Sequence, residues 1–497
     1  MKNKKYDRYL NLIIGMGYQI LSLLINLVSK NAVRTYLDLD YLGMQTVFSN
    51  FCDLFTFAFA GIGMGVLFSL YKPIEEGDRK EICGIYRYYD KIYRKITGAV
   101  IVIGTGAAGI VAVSVNADIS HLEVIGAYML YLFSVIVFNR FLVMQYFIIA
   151  NQKRYVVCII CGAVDLTALA GEVFILFSTG NYMYFVLCIL IKNIFIDGSL
   201  YLYLKKNYEY LFQIKETAEP GDRETINKNV KDLMIYRIGN VMLNSTDSIL
   251  ISVLINTGMS GMYSNYLFVS MGAHSLAAGF YESIVSQIGK LIATHSRERQ
   301  FESFCRVSFM GMWLNGLLTA GFYFLIQDFI ILWMGKEALL SPEIVGLVTL
   351  NIYLDGIRRA TGAYRQSAGI FHKVGWVVII RGVINLILSV IMGEIMGLTG
   401  ILAATAISNL CTLFWYEPYL LYRYFHKSFA WELLYQLAGA GSICLCLAAG
   451  RGVMRMDGST WGSLFLKGSA CFGVINFVYL ALAALMILGK RVRKARN

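Results

Sequence analysis

Long apolar runs separated by short polar clusters recur along the whole chain. Each run holds about 20 residues, enough α-helix to cross roughly 30 Å of hydrocarbon. The pattern predicts about 14 spans, the first six near residues 9–29, 45–70, 96–115, 124–150, 155–178 and 182–204. Six more lie near 233–256, 263–290, 304–326, 343–368, 375–393 and 399–421, and the last two near 433–450 and 464–488. Because the runs are continuous, not alternating every second residue, a transmembrane β-barrel is disfavoured. The expected fold is an all-α polytopic membrane protein. It has an N-terminal six-helix lobe over 1–204, a cytoplasmic linker over 205–232 and a C-terminal six-helix lobe over 233–422. Two additional helices and a basic cytoplasmic tail fill 423–497.

The one long polar stretch, Lys205–Lys231, contains the breaker Pro220-Gly221-Asp222. With the N-terminus inside, roughly 30 Lys/Arg fall in cytoplasmic segments and roughly 5 outside, a strong positive-inside bias. Both termini are therefore expected in the cytoplasm. The basic start MKNKKYDRYL precedes an apolar stretch too long for a signal peptide and lacking a small-residue cleavage site, so an uncleaved first span is expected. The four prolines, Pro73, Pro220, Pro342 and Pro418, mostly mark loops, which leaves helix kinks to the glycines.

Composition agrees: the 497 residues are 57% hydrophobic and only 15% charged. A globular surface needs about a quarter charged residues. The net charge of +12 is accounted for by the loop bias, and no soluble basic stretch interleaved with aromatics suggests nucleic acid. Nine of the ten cysteines lie in apolar segments, and Cys158-x-x-Cys161 has no HExxH or second CxxC beside it. Helix packing explains it better than metal or redox chemistry, and no cofactor is expected. Gly61-x-Gly63-x-Gly65 follows no strand, so close helix packing is the better reading than a phosphate loop.

Charged side chains inside spans are costly, at least roughly 2.5–3.5 kcal/mol each on insertion scales, and mark pathways or ion pairs. Within Asp232–Tyr266, Arg237, Asn240, Asn244 and Asp247 stand at offsets of 3, 4 and 7 and share one helix face. The tenth span carries Asp355, Arg358, Arg359 and Arg365. Asp355 can pair with Arg358 or Arg359 at offsets 3 and 4, but one carboxylate cannot neutralise three guanidiniums. The surplus points to an anionic ligand, with phosphate the match for a guanidinium fork. Arg140 in the fourth span and Arg381 in the eleventh extend the set, although Arg237 and Arg381 lie close enough to an edge to snorkel. Asp53, Asp165, Glu172, Asp247 and Glu282 are expected either to take a coupling proton or cation or to balance the arginines; Lys192 and Asp197 are further charges in the sixth span.

Three stretches resemble the polysaccharide (oligosaccharide-lipid) flippases of the multidrug/oligosaccharidyl-lipid/polysaccharide exporter superfamily. They are RTYLDLDYLGMQTVFSNFCDLFTFAFAGIGMG, NSTDSILISVLINTGMSGMYSNYLFV, and YRQSAGIFHKVGWVVIIRGVINLILSVIMGEIMGLTGILAATAISNL with the WYEPYLLYRYFHKS run after it. The resemblance covers nearly the full length. It implies two facing six-helix lobes and transfer of a polyprenyl diphosphate-linked oligosaccharide from the inner to the outer leaflet of a bacterial plasma membrane. It also implies a cationic cavity for which Arg237, Arg358, Arg359 and Arg365 are candidates. The expected partners are the lipid-linked substrate, membrane lipids, a proton or sodium ion, and a glycan polymerase or glycosyltransferases. Residues 9–29 contain no Arg, unlike the peptidoglycan-precursor branch, which favours a capsule, O-antigen or teichoic-type glycan. Two rivals remain. A drug/cation antiporter of the same superfamily would have a less basic cavity and usually 12 spans. A membrane-embedded glycan polymerase would need a large outer loop, and an acyltransferase a catalytic histidine, for which His274 is the nearest candidate. No enzymatic activity is expected.

Overall fold

The computed structural model describes residues 2–214, 245–368, 370 and 372–496. All regular structure among them is helical. The first helices are α1 (Lys2–Tyr36), α2 (Leu39–Glu76), α3 (Arg79–Gly106), α4 (Ala108–Ser114), α5 (His121–Arg140), α6 (Leu142–Ala150), α7 (Arg154–Thr179), α8 (Tyr182–Asn207), the short α9 (Tyr210–Gln213) and α10 (Ser245–Leu254). They are followed by α11 (Thr257–Thr294), α12 (Arg297–Met334), α13 (Pro342–Ile357), α14 (Arg359–Ser367), α15 (His372–Met396), α16 (Leu398–Cys411), α17 (Leu413–Phe425), α18 (Ala430–Ala449), α19 (Arg451–Met454) and α20 (Trp461–Arg496). These elements follow the apolar runs in order, and the protein is a multi-pass membrane protein. Among the described residues nine spans are long and apolar enough to cross a bilayer, or ten when the bent pair α3–α4 is one span.

The chain divides into two compact units, Met1–Gly261 and Met262–Asn497. In the first unit α1 packs on α7, α7 and α5 on α8, and α2 on α3 and α6. Glycine permits the closest of these approaches: a Cβ on Gly63 would enter the Tyr146 ring, and one on Gly65 would meet the Tyr89 hydroxyl at 3.0 Å. The expectation of close helix packing at this glycine run therefore holds. Gly43 of α2 and Gly261 of α11, which stand in similar sequence contexts, pack on each other; a Cβ on Gly261 would lie 2.7 Å from the Gly43 nitrogen. The charged segment 72–95, which falls between two of the expected spans, is helical except at 77–78: α2 runs to Glu76 and α3 begins at Arg79. Asp78 caps it by accepting from the backbone of Lys80 at 2.9 Å and Glu81 at 3.0 Å. Its inner face buries Ile82, Cys83, Ile85, Tyr86, Tyr89 and Tyr93.

In the second unit α12 carries α13, α18 and α20 on its flanks, and α15 packs along α16. The two last long helices are built into this core. Trp313 Nε1 donates to Asn476 Oδ1 at 3.1 Å, the Tyr435 hydroxyl donates to the Ser308 carbonyl at 3.0 Å, and Lys467 pairs with Asp328 at 2.5 Å. Four spans are interrupted, at Ala107, Phe141, Arg358 and Thr412. Glycines lie close to the first and third of these breaks (Gly106 and Gly356) but not to the other two. The interruptions are thus only partly a glycine effect, and the bent pair α3–α4, at 50°, has Gly106 beside its break. Pro418 lies inside α17, where it leaves the Phe414 carbonyl without its helical donor.

Candidate functional site

The break between α13 and α14 places Arg358 at the junction and Arg359 in the first turn beyond it. Side chains from α11, α15, α16 and α17 converge on this junction. Arg358 uses all three guanidinium nitrogens: Nε donates to the Leu354 carbonyl at 3.3 Å, Nη1 to Glu417 Oε2 at 3.1 Å and Nη2 to Asp355 Oδ1 at 3.0 Å. Arg365, two turns on, donates from Nε to the other oxygen of Glu417 at 2.7 Å and from Nη1 to the Ile370 carbonyl at 3.0 Å. Glu417 therefore staples α14 to the residue at the break. Asp355 Oδ1 also accepts from Asn409 of α16 at 3.0 Å and lies 3.7 Å from Arg381 of α15. Arg358 and Arg365 are 9% exposed, and Arg381 and Glu417 7%.

Arg359 differs from its neighbours. Among the described residues no carboxylate pairs with it; its Nη2 lies 2.8 Å from His274 Nδ1 of α11. Four guanidiniums thus face two carboxylates, and with His274 neutral the cluster holds a formal surplus of two positive charges. Sequence spacing anticipates the Asp355–Arg358 pair and the surplus, but not the acid partners of Arg365 and Arg381. The missed residues are Glu417 and Asn409, 52 to 59 positions away in sequence from the groups they bind.

The other expected site residues lie elsewhere. Arg140 belongs to the first unit and pairs at 2.7 Å with Asp90, which also holds Arg94. Arg237, Asn240 and Asn244 lie outside the described residues, as does the Glu282 side chain. Asp247 is buried in α10, and Asp53 is exposed on α2.

The first unit also contains an acidic cluster. Asp165 accepts from the Tyr18 hydroxyl at 3.0 Å and lies 3.6 Å from Lys192; Glu172 accepts from Ser29 at 2.7 Å. One turn beyond Asn193, Asp197 is 5% exposed, and neither carboxylate oxygen has a hydrogen-bond partner among the described residues. Three carboxylates against one lysine leave a formal surplus of two negative charges. A carboxylate in such surroundings is stable only when protonated or beside a cation. No group of His, Cys, Asp and Glu among the described residues is arranged to hold a metal ion.

No family model and no curated protein matches the chain. Solved structures do. A lipid II flippase MurJ in an inward closed conformation aligns over 96% of this chain and 98% of its own, at 15% identity and a TM-score of 0.68. An inward-facing multidrug resistance MATE family transporter of the MOP superfamily aligns over 79% of this chain and 91% of its own, at 12% identity and TM-score 0.66. A MOP superfamily transporter from Pyrococcus furiosus, described as having a binding pocket of reverse polarity, aligns over 82% and 93%, at 13% identity and TM-score 0.56. The chain is thus a multi-pass helical membrane protein with the fold that MurJ shares with the MATE transporters of the MOP superfamily.

Proposed function

We propose that the chain is a flippase moving a polyprenyl diphosphate-linked oligosaccharide, a capsule, O-antigen or teichoic-type precursor, from the inner to the outer leaflet of a bacterial plasma membrane. The observation that carries this reading is the buried arginine cluster of the second unit, with its two uncompensated charges. An ion moved from water into hydrocarbon costs on the order of 20 kcal/mol before relaxation. A diphosphate head group therefore crosses only where fixed positive charge replaces its water. A guanidinium suits this task because its charge is permanent and its donors match phosphate oxygens. The prenyl tail has no such need and stays in lipid.

Alternating access would expose the head-group site to one leaflet and then to the other, with the substrate shifting the balance by its differential affinity for the two states. A proton or sodium ion taken up by the acidic cluster around Asp165, Glu172 and Asp197 would supply direction. In this reading both termini are cytoplasmic, the chain is not an enzyme and needs no cofactor. A glycan polymerase or glycosyltransferases act beside it.

A second reading, a drug/cation antiporter, draws support from the MATE likeness and from the acidic cluster, which suits a cationic solute. The MATE-type alignment covers 79% of this chain, whereas the MurJ alignment covers 96%. One experiment separates them. Full-length protein in liposomes is given a fluorescent polyprenyl diphosphate-linked disaccharide on one leaflet, and its arrival on the other is read with an impermeant quencher. Transfer above protein-free vesicles supports the flippase; export of an organic cation without lipid transfer supports the antiporter.

A further inference from the structure

The four arginines of the second unit are not equivalent, and the difference assigns them separate roles. Arg358, Arg365 and Arg381 are committed to Glu417 or Asp355. Arg359 alone is held by a neutral acceptor. A guanidinium has donors only, so the contact with His274 fixes Nδ1 as the acceptor and leaves the ring proton on Nε2. Both His274 Nε2 and Arg359 Nε are buried without a hydrogen-bond partner among the described residues. Leaving such donors unmet is costly, and native proteins rarely do so without a function or an unseen occupant.

Both residues line the same small cavity, with Tyr281, Asn315, Gly311 and Gly356 among its other walls. Its free space is about 10 Å³, room for about one water-sized atom. Both polar atoms of the Asn315 side chain already have partners: Nδ2 donates to the Tyr353 carbonyl at 3.1 Å and Oδ1 accepts from the Thr319 hydroxyl at 3.4 Å. A pocket with two free donors, next to a cluster with surplus positive charge, suits an anionic oxygen. The volume decides how much of a ligand enters: one oxygen, not a whole phosphate.

We propose that Arg359 and His274 form the terminal subsite of the head-group site, receiving one phosphoryl oxygen of a prenyl diphosphate on the unmet Arg359 Nε and His274 Nε2 donors. This rests on the flippase reading. The oxygen accepts from Arg359 Nε and from His274 Nε2, while the contact between Arg359 Nη2 and His274 Nδ1 holds the two donors side by side. The charged or titratable groups acting on Arg359 besides His274 are Asp355, Tyr281 and Arg358. Asp355, the carboxylate that would repel the incoming oxygen, is already held by Arg358, Arg381 and Asn409, which offsets its charge.

The test uses the purified full-length chain and three probes: farnesyl diphosphate, inorganic pyrophosphate and farnesol. Wild type is expected to bind farnesyl diphosphate and not farnesol; pyrophosphate bound equally well would identify a free-phosphate site rather than a lipid one and overturn the lipid assignment. Arg359→Ala is expected to weaken farnesyl diphosphate binding about 10- to 100-fold, the value of a charge-assisted hydrogen bond. Arg359→Lys, which keeps the charge without the fork, should recover part of that loss. His274→Ala removes one of the two donors and should weaken binding severalfold, and His274→Gln, which keeps an N–H donor, should weaken it less. If His274→Ala binds farnesyl diphosphate as tightly as wild type, the role of His274 as second donor is wrong. If wild type transfers the lipid-linked disaccharide across liposomes while Arg359→Ala binds farnesyl diphosphate unchanged, the subsite is wrong and the flippase reading survives. If wild type neither binds nor transfers, both fail.

Discussion

The two units bury charge of opposite sign, and they hold it differently. In the second, three of four guanidiniums are locked on Asp355 and Glu417, each bond within 3.7 Å, so the surplus rests on a stapled framework. In the first, Lys192 serves Asp165, Glu172 is met by a hydroxyl, and Asp197 has no hydrogen-bond partner among the described residues. A permanent charge can be fixed only by counter-charges, because a guanidinium does not lose its proton. A carboxylate can instead discard its charge by taking a proton. The basic cluster is therefore suited to binding, and the acidic cluster to titration or cation uptake.

The comparison breaks most easily at Glu417. Glu417→Ala leaves Arg358 and Arg365 without their shared acid and should cost about 3–5 kcal/mol, read as loss of thermal stability in detergent. A cost under about 1 kcal/mol would mean that the staple contributes little. Next in size is Gly43→Ala. The new methyl would meet the backbone carbonyl of Thr257, which cannot rotate aside. Overpacking of this kind costs about 1–3 kcal/mol, and the variant should unfold at correspondingly lower temperature.

Asp197→Asn sharpens the other side of the contrast. A carboxyl buried without a hydrogen-bond partner loses little on becoming an amide, so stability should stay within about 1 kcal/mol of wild type. Gradient-driven transport should nevertheless fall. A stability loss above about 3 kcal/mol would show that the carboxylate is charged and paired in the folded protein. Asp165→Asn should cost more than Asp197→Asn, since it strands Lys192. The smallest effect is expected from Arg306→Ala, whose partner Glu302 is as exposed as it is. Exposed pairs of this kind contribute about 0–1 kcal/mol, and both stability and transport should be unchanged.

Much of this was legible in the chain because bilayer thickness sets helix length, so apolar runs mark spans directly. The Asp355–Arg358 pair was legible because helical neighbours three residues apart share a face. Glu417 and Asn409 were not, since only the packing of α17 and α16 against the break brings them near, and no spacing announces a partner more than 50 residues away. The helical start of α3 was hidden for a related reason. Its Arg and Lys residues read as loop charge, while the tyrosines between them bury against the first unit. Nor did the sequence distinguish Arg359 from Arg358, adjacent residues of one type that leave the helix in different directions, one toward Glu417 and the other toward His274.

The most direct test of the central claim is a matched pair of lipids in one preparation of liposomes: a polyprenyl diphosphate-linked sugar and the same sugar on the same prenyl chain through a neutral linkage. If buried positive charge carries the head group, the diphosphate lipid crosses and the neutral lipid stays at the protein-free rate. Equal transfer of the two would show that the arginines do not select the cargo, and the account would fail.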